Sequence, residues 1–172
     1  MRQGPDTDPS TGTFVVDVAT GALHRIAPDS TWSVSWAPDG DRLAISTTAV
    51  SGTDAHIVGV VLMAADGSSR RLVPSDGFGA RYSPDGATIA VGTQQATKVM
   101  APDGSGLRFL HEGGLIAWSP DSRNLVVGDT AGDAIVSLAG CDHHLLTPQK
   151  NQDFAAWAPD GRSIAVVAFT GW

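Results

Sequence analysis

A few side chains in this chain have types and spacings that could do chemistry. Cys141-Asp142-His143-His144 places a thiol, a carboxylate and two imidazoles in consecutive positions. All are potential metal ligands, but neighbouring residues of a strand point to opposite faces, so His143 and His144 would not reach one ion. No CxxC or HxxxH spacing supports a zinc site, and no metal is expected. Asp6-Thr7-Asp8-Pro9-Ser10-Thr11-Gly12 alternates oxygen ligands in the manner of a calcium loop. Pro9 is wrong there, the glycine falls one position late and no bidentate Glu follows, so a solvated loop is expected. Nucleophilic catalysis would need an exposed serine on a sharp turn, and no Gly-x-Ser-x-Gly elbow occurs. Asp103-Gly104-Ser105-Gly106 is too short to cradle a phosphate. The expectation is a noncatalytic chain with no cofactor.

A different set suits binding. Asp29 and Trp32, Asp76 and Phe78, His111 and Glu112, and Lys150, Asp153 and Phe154 put aromatics beside charges. That combination is common on surfaces that hold proteins or peptides. Trp32, Phe78 and Phe154 fit equally well as the first residues of strands packed in a core. Both alternatives remain open at this level.

The elements that position these residues follow from composition and repetition. Of 18 acidic residues only Glu112 is a glutamate. Asp competes for backbone hydrogen bonds and favours turns, and 20 Gly and 10 Pro add to the turn content. No apolar pattern at helical spacing is sustained. One cysteine allows no intrachain disulfide. A net charge of -7 repels phosphate backbones, so nucleic acid is not an expected partner. No stretch approaches the ~20 apolar residues of a membrane helix, and no membrane insertion is expected. Met1-Arg2-Gln3-Gly4-Pro5-Asp6 has no apolar signal-peptide core, so a soluble chain without an address is expected.

One pattern recurs four times. It reads Trp36-Ala37-Pro38-Asp39-Gly40 with Leu43-Ala44-Ile45, then Tyr82-Ser83-Pro84-Asp85-Gly86 with Ile89-Ala90-Val91. It returns as Trp118-Ser119-Pro120-Asp121-Ser122 with Leu125-Val126-Val127, and as Trp157-Ala158-Pro159-Asp160-Gly161 with Ile164-Ala165-Val166. The aromatics lie 46, 36 and 39 residues apart, near the ~40–45 of a propeller blade. Pro presets the turn, Asp caps it and Gly supplies a left-handed exit. Ser122 replaces that glycine and must adopt the left-handed conformation at a cost. Third and fourth strands follow, such as Ile57 to Met63 and Arg70 to Val73. Four short antiparallel strands per unit make a blade. The recurring aromatics are expected to pack between blades, and Asp39, Asp85, Asp121 and Asp160 to be caps rather than general acids or bases.

These residues resemble the TolB-like branch of the WD40-like propellers (the PD40-type repeat), written around W-S-P-D-G and an I-A-F-like strand. The resemblance implies an all-β fold, a single propeller domain or propeller segment over 1–172. Its repeat units lie at about 12–50, 55–93, 96–130 and 132–172. It implies that the aromatic strand is innermost. The chain then opens with third and fourth strands, Phe14 to Val18 and Leu23 to Ala27. It closes with first and second strands, within Phe154 to Phe169. One blade is thus split between the ends. Either the halves latch into a four-bladed monomeric ring, or they belong to a longer propeller whose open edges self-associate. The resemblance further implies a bacterial, periplasmic or extracellular scaffold that binds a protein or peptide. The alternative is the accessory propeller of a prolyl-oligopeptidase-like hydrolase.

Overall fold

The computed structural model describes residues 12–27, 31–51, 54–128, 132–140, 143–146 and 155–167. Every regular element among them is a β-strand. β1 (Thr13–Val16) and β2 (Leu23–Ala27) form a two-stranded sheet. The first blade comprises β3 (Thr31–Trp36), β4 (Arg42–Ser51), β5 (Asp54–Ala64) and β6 (Arg71–Pro74). The second comprises β7 (Gly79–Tyr82), β8 (Ile89–Gly92), β9 (Ala96–Met100) and β10 (Arg108–Glu112). The third comprises β11 (Gly114–Trp118), β12 (Asn124–Gly128), β13 (Asp133–Ser137) and β14 (His143–Leu145). β15 (Ala155–Trp157) and β16 (Ile164–Val166) form a final pair. Each sheet is antiparallel with its strands in chain order. Each sequence repeat therefore runs from the outer strands of one sheet into the inner strands of the next.

The core is a row of slabs between consecutive sheets. Continuous apolar runs such as Ile89-Ala90-Val91 suit strands covered on both faces, and all three residues are buried. Alternation then divides each run between two interfaces. Leu43, Ile45, Val61 and Met63 pack on Ile26 and Ala27 of β2. Ala44, Val60 and Leu62, on the other face of the first blade, meet Tyr82, Ile89, Val91 and Met100 of the second. Ala90 and Val99 of the second blade meet Leu125, Val127, Ala134 and Val136 of the third.

The two half-sheets do not join. β1 pairs with β2 and β16 with β15, in separate two-stranded sheets. Of the two closures the repeat allows, the structure shows the open segment and not the latched ring. This opening changes the fate of the recurring aromatics. Tyr82 is 7% exposed, as packing between blades requires. Trp118 and Trp157 are half-buried. Trp36 departs from the expectation and is 46% exposed. β1 and β2, the strands on its side, are outer strands, and among the described residues no inner strand covers the ring.

The β4–β5 hairpin also departs from the simple blade. β3 pairs with β4 only as far as Thr47, and β6 reaches β5 only as far as Gly59. The pairing of β4 with β5 continues past both to Ser51 and Asp54, so a two-stranded ribbon projects from the first blade.

Candidate functional site

The blades present two ends. The Pro-Asp turns between first and second strands gather at one. Ala65 N–H donates to Asp41 O (2.8 Å), so the third-to-fourth turn lies beside them. At the other end Gly113 N–H donates to Gln95 O and Thr97 Oγ1 to Gly113 O. There the second-to-third loop meets the link to the next blade.

The turn end is built on the repeated motif. Gly40, Gly86, Ser122 and Gly161 hold φ of 77°, 72°, 62° and 70°, the left-handed exit that the motif demands. Asp39, Asp85, Asp121 and Asp160 each accept an N–H two residues on, at 3.0, 3.0, 3.1 and 3.0 Å. Ser83 and Ser119 hydroxyls donate to Asp85 and Asp121 at 2.6 Å. The Arg42 guanidinium holds the Asp39 carboxyl below the usual carboxylate range, and these serine hydroxyls do the same for Asp85 and Asp121. The turns also nest between blades. Asp85 N–H donates to Ser122 Oγ at 3.0 Å, and a β-carbon on Gly86 would stand 2.9 Å from Pro38 Cγ.

The inner strands β3, β7, β11 and β15 line one cavity of about 660 Å³. An innermost strand has an unpaired edge, and serines meet part of that need. Ser33 and Ser35 hydroxyls accept from Ala80 N–H (3.1 Å) and Tyr82 N–H (3.0 Å) of the next blade. Trp118 Nε1 reaches back to donate to Arg81 O at 3.1 Å. Trp157 stands at the same repeat position, yet its Nε1 is buried with no hydrogen-bond partner. Arg81, which is exposed, and Trp36 and Trp118 also line this cavity.

The loop end carries the residues singled out for binding. Trp32 is 66% exposed, at a bulge where β3 shifts register against β4. Phe78 is exposed at the edge of the second blade, held by its N–H to Gly92 O (2.8 Å). Asp76 is exposed and pairs with Lys98 at 2.6 Å, which holds its carboxyl below the usual range. Glu112 is exposed, and the half-buried His111 ring contacts the Glu112 carbonyl through Nδ1. None of these residues lines the inner-strand cavity. Asp29, Lys150, Asp153 and Phe154 lie outside the described residues, as do Asp6 to Thr11, Cys141 and Asp142. His143 and His144 stand in β14, opposite Val136 and Ile135. Sequence reasoning missed Lys98 and Arg81. Lys98 sits opposite Val91 and Phe109 in the middle strand β9, where alternation sends an isolated polar residue to an edge of the core. Its being one of two lysines was the available signal.

No protein-family model matches the chain, and no curated protein matches it in sequence. Solved structures match in shape. TolB from Acinetobacter baumannii is 16% identical with a TM-score of 0.63, over 91% of this chain and 42% of that one. The putative TolB from Agrobacterium tumefaciens is 18% identical with a TM-score of 0.64, over 90% of this chain and 62% of that one. The fold is a β-propeller segment. A nidogen/laminin complex supplies a further match, 14% identical with a TM-score of 0.67 over 89% of this chain and 62% of the other. This propeller segment spans less than two thirds of each of these chains.

Proposed function

We propose that the chain is a noncatalytic scaffold that binds a protein or peptide through its loop end. One observation carries the reading. Trp32 and Phe78 are exposed apolar rings at the loop-end starts of β3 and β7, with Asp76 of the Asp76–Lys98 pair close to Phe78 in sequence and the Phe78 backbone fixed by its bond to Gly92 O. Large rings with few rotatable bonds lose little entropy on contact, and neighbouring charges set register. The projecting β4–β5 ribbon continues from the same end of the first blade and adds an edge beside it. A nidogen/laminin complex, an assembly of two proteins, is among the matching folds, which agrees with this use of the fold.

Selection of peptides from a random 12-residue display library on the 172-residue chain tests the proposal. Selected peptides should lose at least about tenfold in affinity to the Trp32→Ala/Phe78→Ala variant, or about 1.4 kcal/mol. Peptides that bind this variant unchanged would place recognition elsewhere and overturn the assignment.

A further inference from the structure

We propose that the gap between the inner strands β7 and β11 binds a carboxylate carried next to an apolar group, with Arg81 and the Trp118 backbone N–H as its donors. The site shares no residue with the loop-end reading and stands independently of it.

The first observation is a difference between two blade interfaces. An innermost strand has one edge without a ladder partner, and the N–H groups on that edge need acceptors. Between the first and second blades, Ser33 and Ser35 of β3 supply them to Ala80 N–H and Tyr82 N–H of β7. Counted back from the recurring aromatic, the places of Ser33 and Ser35 fall at Gly79 and Arg81 in the second blade. Glycine has no side chain, and a guanidinium only donates. Trp118 N–H is the counterpart of Tyr82 N–H. Ser119 N–H donates to Asn124 O of β12, as Ser83 N–H does to Thr88 O. Successive N–H groups of a strand point to opposite edges, so Trp118 N–H points to the inner edge. Where one interface has a hydroxyl acceptor, the next has a cation, and two donors face one gap.

The second observation is what surrounds Arg81. It lies opposite Ala90 across β7 and β8, and Ala90 packs on the third blade. Cross-strand partners share a face, so Arg81 stands on the side that meets β11. It is exposed and lines the inner-strand cavity, and no carboxylate lines that cavity to meet it. Other cations of the chain are engaged. Arg42 pairs with Asp39 and Lys98 with Asp76, while Arg71 and Arg108 donate to Asp103 O and Leu138 O of the following blades. The Trp118 ring is pinned beside Arg81, because its Nε1 donates to Arg81 O at 3.1 Å. Ala80 and Ala117, on either strand, are small and leave the cavity its volume of about 660 Å³.

The chemistry of the ligand follows from these donors. A guanidinium is always charged, and its planar fork matches a carboxylate. One carboxylate oxygen meets Arg81, and the other accepts Trp118 N–H in the role that the Ser35 hydroxyl plays for Tyr82 N–H. A phosphate would bring further negative charge that no second cation lining the cavity meets. In a chain of net charge -7, a lone positive side chain in a concave site also sets the sign of what enters. The apolar group next to the carboxylate lies against the Trp118 ring, which is already held in place and loses little freedom on contact. Such a carboxylate comes either from a free organic acid or from the C-terminus of a polypeptide.

Calorimetric titration of the 172-residue chain at low salt tests this. The probes are N-acetylphenylalanine, its uncharged amide, and a hexapeptide ending in phenylalanine with a free C-terminus. At least one of the two acids should bind at a single site with Kd below about 1 mM, and the amide at least about tenfold more weakly than N-acetylphenylalanine. A hexapeptide that binds more tightly than N-acetylphenylalanine assigns the site to a polypeptide C-terminus; equal or weaker binding assigns it to a free acid. Arg81→Ser puts back the hydroxyl of the first interface, so its urea midpoint should be no lower than the parent's while acid binding falls at least about tenfold. Arg81→Gln keeps a long polar stem without the charge and should show the same loss of binding. Neither acid binding below about 1 mM, an amide that binds as well as the acid, or Arg81→Ser and Arg81→Gln chains that bind like the parent would each overturn the proposal.

Discussion

The second blade and the terminal half-sheets carry the same repeat in different company. The second blade has a neighbour on each face, and Tyr82, Ile89, Ala90 and Val91 are buried. At the ends, Trp36 occupies the position of Tyr82 and Ala165 that of Ala90, and both are exposed. The residue type does not decide between core and surface here; the adjacent blade does. A propeller is thus a quasi-one-dimensional stack in which each unit's stability depends on its nearest neighbours.

The largest effect separates the two aromatics. Tyr82→Ala should cost about 3–5 kcal/mol, since its ring fills the slab between the first two blades and lies 5.9 Å from the Arg42 guanidinium. Trp36→Ala should cost about 1 kcal/mol or less, because half of its surface already meets water. Urea midpoints of the two variants make the comparison. Equal losses would mean that Trp36 is covered within the single chain and that the contrast between middle and ends is wrong.

The next effect compares two turns with one backbone. Gly40 and Gly86 both sit at left-handed φ, 77° and 72°. A β-carbon on Gly40 would meet nothing within 4 Å, whereas on Gly86 it would press on Pro38 of the first blade. Gly40→Val should cost about 1–2 kcal/mol for conformation alone. Gly86→Val should cost about 2–4 kcal/mol, as overpacking adds to the same strain. Matching midpoints for the two variants would show that the turns do not nest.

Much of this architecture was legible in the residues. The Pro-Asp-Gly turns, the apolar second strands and the offset that leaves half-blades at both ends are local, repeated signals, and the structure has them where the repeat places them. The projecting ribbon was not legible, because Thr47 to Val50 and Ala55 to Val58 are ordinary β-prone runs around a loop, and nothing local says where pairing stops. The exposure of Trp36 was not legible either, since four copies of one aromatic signal one environment. Among binding candidates, exposed Trp32 and Phe78 could be named from spacing. The choice between core and surface for each rested on neighbours distant in sequence, as did the pairing of Lys98 with Asp76.

The smallest effect concerns Ser122, the one departure from glycine among the four turns. Its φ of 62° carries a penalty that glycine would relieve, on the order of 1 kcal/mol. Against this, its hydroxyl accepts Asp85 N–H at 3.0 Å and is buried between turns of adjacent blades, which contributes about 0.5–1.5 kcal/mol. Glycine also raises the entropy of the unfolded chain, a further cost of about 0.4–1 kcal/mol. These terms nearly cancel, so Ser122→Gly should lie within about 1 kcal/mol of the parent, on the unstable side. Ser122→Ala keeps the strain and loses the acceptor, and should lose about 1 kcal/mol. The signature that ties the effect to the neighbouring blade is a double-mutant comparison. If the hydroxyl acts through Asp85 N–H, the cost of Ser122→Ala should persist in a chain already carrying Asp85→Ala, which removes the carboxylate and keeps the N–H. A cost that vanishes in that background, or a Ser122→Gly chain more stable than the parent by over about 1 kcal/mol, would show that the bond from Asp85 N–H contributes nothing.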